Sequence, residues 1–186
     1  TLMIEAGPGV GKSFAYLLPA IERILIAKQN GLGHHPDGRG RVVVSTHTIA
    51  LQEQLIHKDI PLLQSVLGGE FSAVLAKGRS NYISLRRLKR TRDRNVQLFA
   101  DPAKHRTLEM IADWASRTDD GSLATLGPLE RPMIWSNVQS DTEDCLGQRC
   151  PTYNSCFYQS ARRRMHNADL LVVNHALFFA DLALRA

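Results

Sequence analysis

Short unbroken apolar runs alternate with stretches of helical periodicity along this chain. Residues 2–4, 41–46, 71–76 and 168–174 are runs of strand length, rich in Val, Ile and Leu. Strands apolar on consecutive positions are buried on both faces, as in parallel sheets. Between the first two runs, residues 14–26 repeat apolar side chains at helical spacing, and Asn30-Gly31 ends that helix near Lys28. Strand, helix and strand there predict a right-handed βαβ unit. Residues 31–40 are rich in turn formers, and their His34-His35 pair is read as part of a solvated loop. Residues 46–55 then enter a helix with Thr48 as N-cap and Ile49, Leu51, Leu55 and Ile56 as its apolar face. A last helix follows the fourth strand, over residues 175–184.

Residues 77–166 break this rhythm. Lys77, Arg79, Arg86, Arg87, Lys89, Arg90, Arg92, Arg94, Lys104 and Arg106 face only Asp93 and Asp101 across that run, with Tyr82 at its head. Such a run suits a phosphate backbone, and a solvated helix face has the same composition. Asp101-Pro102 marks a helix start, and Leu108, Ile111, Ala112 and Ala115 recur on one face to about Arg117. Asp119 to Ser122 ends it, and the stretch to Asp144, with Pro128, Pro132 and Trp135, reads as irregular. Residues 156–165 predict a helix carrying Arg162, Arg163 and Arg164. The sheet pattern therefore frames an inserted module: residues 1–76 begin an α/β domain, 77–166 interrupt it, and 167–186 return to it.

The apolar fraction of 44% suits a globular chain, and no apolar run approaches the ~20 residues that span a bilayer. Three cysteines argue against a secreted disulfide framework and for a reducing compartment, so a cytoplasmic location is expected. The formal charge of +5 favours a polyanionic partner.

The chemistry starts at Ala6-Gly7-Pro8-Gly9-Val10-Gly11-Lys12-Ser13, which fits the phosphate-binding pattern (A/G)-x-x-x-x-G-K-S/T. Its placement between an apolar run and a helix gives the pattern its force, because the free N–H groups of a helix N-terminus attract phosphate. Lys12 would reach the β- and γ-phosphates of ATP, and Ser13 would ligate Mg²⁺. Ser45, Thr46 and Thr48 fall at the carboxyl end of a strand, where open α/β sheets bind ligands and where capping alone also calls for such residues.

Cys145, Cys150 and Cys156 place three thiols within twelve residues. Their C-x(4)-C-x(5)-C spacing is not that of a zinc finger, and no fourth cysteine or close histidine completes a tetrahedral set. On chemistry alone an iron–sulfur site, zinc and free thiols stay open.

Taken together, these segments resemble the XPD/DinG family of iron–sulfur, superfamily-two DNA helicases. Residues 5–13 are similar to helicase motif I, and 44–54 to motif Ia, which in the family lies against DNA. Lys77-Gly78-Arg79-Ser80-Asn81-Tyr82 resembles the family's entry to its iron–sulfur insertion, and Cys145, Cys150 and Cys156 match its later three cluster cysteines. Residues 172–177 resemble the strand that precedes the Asp-Glu-Ala-His box. The resemblance implies an incomplete RecA-like first helicase domain with a mostly helical insertion and a 4Fe–4S cluster. It also implies ATP-driven unwinding with 5′-to-3′ movement on single strands. It departs at one place: Ser84 stands where the family has its first cluster cysteine, leaving three thiolates where four are expected and the Ser84 hydroxyl as a candidate fourth ligand.

The function expected is that of an ATP-dependent DNA helicase acting in repair or replication, on single-stranded or forked DNA and as a monomer. No Asp-Glu pair closes an apolar strand, so a Walker B carboxylate is missing and this stretch alone is expected not to turn over ATP. The competing expectation is a nucleotide-dependent regulator with a metal-bound nucleic-acid module and no unwinding.

Overall fold

Three parallel strands, β1 (Val42–Thr46), β2 (Ala73–Ala76) and β3 (Leu170–Asn174), lie in the order β1-β3-β2. The computed structural model describes residues 2–5, 7, 9–31, 40–98 and 101–185. The last strand in sequence is thus the middle one, with Val42 beside Leu170 on one side and Ala73 beside Leu170 on the other. Among the described residues β3 alone has strands on both flanks, and Val43 of β1 is 42% exposed, so β1 is not the fully buried strand its composition predicts.

Helices α1 (Lys12–Gln29), α2 (Ile49–Gln54) and α3 (Ile60–Leu67) belong to the same unit, Thr1–Lys77 with Arg164–Ala186. Leu17, Ile21 and Ile24 recur on one face of α1 and are fully buried with Leu55, Ile60, Leu170 and Val172. A π-helical turn, Leu55–Asp59, joins α2 to α3 and lets Leu55, Asp59 and Ile60 all turn inward. Thr48 caps α2 as expected, its hydroxyl accepting from the Leu51 N–H at 3.3 Å. Ile49, by contrast, is 69% exposed, and the buried Gln52 takes the inward place instead. Helix α8 (His175–Arg185) follows β3 directly, and the Asn174 side chain accepts from the Leu177 N–H at 2.7 Å to start it.

Residues 2–4 do not form the expected first strand. Leu2, Met3 and Ile4 are 83%, 91% and 77% exposed and pair with no strand among the described residues. A strand exists only through a paired neighbour, and residues 2–4 have none among the described residues. The βαβ unit read across residues 2–46 therefore does not form. The His34-His35 loop lies outside the described residues.

The second unit, Gly78–Arg163, has its own core around Ile83, Leu108, Ile111, Trp135 and Val138. Helix α4 (Leu85–Leu98) carries most of the basic run. Helix α5 (Pro102–Arg117) starts as expected at Asp101, whose carboxylate accepts from the Ala103 N–H at 2.9 Å. The stretch read as irregular holds 3₁₀ turns at Leu123–Thr125 and Pro132–Ile134 and the short helix α6 (Trp135–Val138). It is tied back through single antiparallel bridges, Tyr82 with Ser122 and Ile83 with Gln139. Helix α7 (Phe157–Asn167) follows the third cysteine. Among the described residues no helix is long and apolar enough to cross a membrane.

Candidate functional site

Gly9 and Gly11 adopt left-handed φ angles of 78° and 77°, and α1 begins at the next residue, Lys12. Only glycine takes such angles without strain. The N-terminus of α1 has no side-chain cap, and the Gly11 carbonyl already accepts the first helical bond from Ala15 at 3.1 Å. The first-turn N–H groups are therefore presented as a phosphate site requires. A Cβ placed on Gly7, Gly9 or Gly11 would meet nothing within 4 Å, so packing inside the protein does not dictate these glycines. Val10 and Lys12 are exposed, and Ala6 and Pro8 of the loop lie outside the described residues. Ser13 is half-buried and hydrogen-bonds to Tyr16, whose phenol is pushed up by burial and by Asp59 against that bond.

At the carboxyl ends of β1 and β3, Ser45 and His175 approach to 2.6 Å between Oγ and Nδ1. The rings of His47 and His175 stand edge to face at 6.0 Å. Thr46 is buried and donates to the Thr48 carbonyl at 3.4 Å. The sequence pointed to Ser45, Thr46 and Thr48; it did not bring His175 to them, because 130 residues separate the pair.

A separate, small cleft of about 30 Å³ is lined by Ser84, Cys145, Cys150 and Cys156 together with Arg79, Arg86, Arg87, Asp141 and Asp144. The fold thus brings all three cysteines and Ser84 to one cavity. The Gly147 N–H and the Arg79 guanidinium hold the Cys145 thiol below its ordinary range, with Arg86 adding positive charge. That favours the thiolate, the form that binds metals. Arg79 also lies 4.0 Å above the Tyr158 ring and donates to the Asp141 carbonyl at 3.3 Å. Among the described residues, no three His, Cys, Asp or Glu side chains close on a single metal ion. In a 4Fe–4S cluster each cysteine binds a different iron, so its ligands need not converge on one point. The Ser84 hydroxyl accepts from the Arg87 N–H at 3.4 Å at the start of α4.

The basic run divides into two kinds of side chain. Arg86, Arg87 and Arg90 turn toward residues 136–144: Arg86 donates to the Asp144 carbonyl, Arg87 to the Ser136 carbonyl, and Arg90 to the Asp144 carboxylate. Arg92 pairs with Glu109 and Arg106 with Glu130. Lys89, Arg94, Arg162 and Arg163 are exposed.

No protein-family model matches the chain. Curated relatives do. The chain is 35% identical over 189 residues to the ATP-dependent DNA helicase YoaA of Escherichia coli, covering 99% of this chain and 26% of that protein. It is 34% identical over 191 residues to the ATP-dependent DNA helicase DinG of Photobacterium profundum, covering 98% and 26%. The ATP-dependent helicase DinG of Mycobacterium tuberculosis is 36% identical over 196 residues, covering 97% and 28%. The chain spans about a quarter of the length of these relatives.

Proposed function

We propose, from the premise that this chain is a relative of the DinG and YoaA DNA helicases along nearly its whole length, that it carries the phosphate-binding and part of the DNA-contacting apparatus of an ATP-dependent DNA helicase. The observation that carries this is the junction at Gly11-Lys12, where a left-handed glycine hands an uncapped helix N-terminus to a lysine. There Lys12 would neutralise the β- and γ-phosphates of ATP, Ser13 would exchange Tyr16 for Mg²⁺, and the first N–H groups of α1 would hold phosphate oxygens. The domain would be RecA-like, with residues 77–166 inserted in it. The turn after β1 and the exposed basic residues of the second unit would contact single-stranded or forked DNA, with 5′-to-3′ movement. The relatives' printed names support the helicase over the regulator without unwinding.

Cys145, Cys150 and Cys156 fit three ligands of a 4Fe–4S cluster, since they share a cleft and Arg79 favours the thiolate at Cys145. Ser84 offers a hydroxyl at the same cavity. Such a cluster supplies cross-linking of the cysteine loop and one-electron chemistry. The residues' own part would be to hold the loop and, through Arg79 and the Gly147 N–H, to favour the thiolate at Cys145.

The test is binding of a fluorescent ATP analogue with Mg²⁺ to this chain, alongside Lys12→Ala. Saturable binding that Lys12→Ala weakens at least tenfold is expected. Equal binding by the variant, with an unchanged circular dichroism spectrum, would remove the assignment.

A further inference from the structure

Three arginines of α4 do something a DNA-binding face would not. Arg86 and Arg87 lie one helical turn before Arg90, and all three converge on one residue, Asp144, which immediately precedes Cys145. Arg86 donates to the Asp144 backbone carbonyl. Arg90 Nη2 lies 2.9 Å, and Arg87 Nε 3.5 Å, from the same carboxylate oxygen. Arg87 Nη1 stands 4.0 Å from Asp141, and its side chain is only 15% exposed. The segment is pinned again at its start, where Ser84 N–H donates to the Val138 carbonyl at 2.8 Å and Ser140 N–H to the Tyr82 carbonyl at 2.6 Å. Inside the turn, Asp141 accepts from the Glu143 and Asp144 N–H groups at 2.8 and 3.4 Å. An isolated surface ion pair contributes little, but several charges held on one partly buried partner form a network that does.

We propose that Asp144 is a positioning residue: gripped by Arg86 and Arg90 with the Arg87 guanidinium alongside, it fixes the approach to Cys145 through protein contacts alone. These contacts form the first wall of the cysteine cleft. Where a cysteine would be expected, Ser84 serves the same end by capping α4, the helix that supplies the three arginines. The inference deepens the metal-site reading, yet it concerns order in the metal-free protein and stands on contacts that need no metal.

The experiment is amide hydrogen exchange, resolved by peptide, on the chelator-treated and reduced 186-residue chain. The peptides compared cover residues 139–146 and, as a reference, α5. In the parent, residues 139–146 are expected to be protected without metal. Asp144→Asn should speed their exchange about tenfold or more, the loss expected when a charged hydrogen-bond partner goes, while α5 is unchanged. Asp144→Glu should restore part of the protection. Fast exchange in the metal-free parent, no change in Asp144→Asn, or an equal loss in α5 would each overturn the proposal. Iron and sulfide content of the parent, measured separately, reports on the cluster, so its absence leaves this test intact.

Discussion

Ser45 and His175 meet at 2.6 Å across the boundary between β1 and the first residue of α8. The bond ties the carboxyl end of an edge strand to that of the central one, where Thr46 and Asn174 are register partners. It also stands beside the turn that Thr48 caps. Ser45→Ala and His175→Ala are each expected to cost about 1 kcal/mol. Urea titration of both and of the double variant should show coupling, with the double costing less than the sum. Strict additivity would mean the contact contributes nothing.

The phosphate loop makes its own contrast. Gly11→Ala forces an alanine into a φ of 77° and should destabilise the chain by about 1 kcal/mol even without nucleotide. Gly7 has no such angle and open space around it, so Gly7→Ala should leave the urea midpoint in place. What Gly7→Ala should lower is nucleotide affinity, because the added methyl would crowd a bound phosphate. Loss of stability in Gly7→Ala would show that the loop is packed in the free protein.

Asp169 sets an acid limit on the first unit. Burial opposes its charge, but the Ser72 N–H at 2.8 Å, the Lys28 ammonium at 3.2 Å and the Ser72 hydroxyl at 3.0 Å prevail and hold its carboxyl below the usual range. A depressed carboxylate contributes stability above its unfolded pKa of about 3.9 and loses it as pH falls through the folded value. Thermal melts from pH 6 to pH 2 should therefore show a steeper acid decline in the parent than in Asp169→Asn. Parallel declines would assign the acid limb to other groups.

Binding to single-stranded DNA should draw on the exposed basic residues. If about five phosphates are neutralised, log K should fall against log salt with a slope near −3.5. Replacing Lys89, Arg94, Arg162 and Arg163 with Ala should flatten the slope by about 0.7 per lost phosphate contact, with the melting curve unchanged. Arg86, Arg87 and Arg90 are different, since their loss should first loosen residues 136–144. A salt slope unmoved by the exposed set would exclude these side chains from the DNA contact.

Local signals in this chain act over a few residues, and those were legible. The Gly11-Lys12-Ser13 junction, the Asp101-Pro102 start of α5, the Thr48 cap and the apolar stripe of α1 all form where the sequence puts them. A cap or a helical face needs only its own neighbours, so composition and spacing suffice. The presence of β1, β2 and β3 was equally readable, because each is a short apolar run between turn formers.

Partnership across the chain was decided only by the fold. Nothing in residues 170–174 says that they lie between β1 and β2, and nothing in residues 2–4 says that they find no strand to pair with. Ser45 gained His175, Asp169 gained Ser72 and Lys28, and Asp144 gained three arginines, all over separations of tens to more than a hundred residues. The sequence shows the charge of Arg86, Arg87 and Arg90 but not its use, because a guanidinium reads alike facing solvent or a carboxylate. It shows three cysteines and Ser84 but not that they share one cleft. Chemistry is written residue by residue, whereas proximity is fixed by packing, and packing is a property of the whole unit.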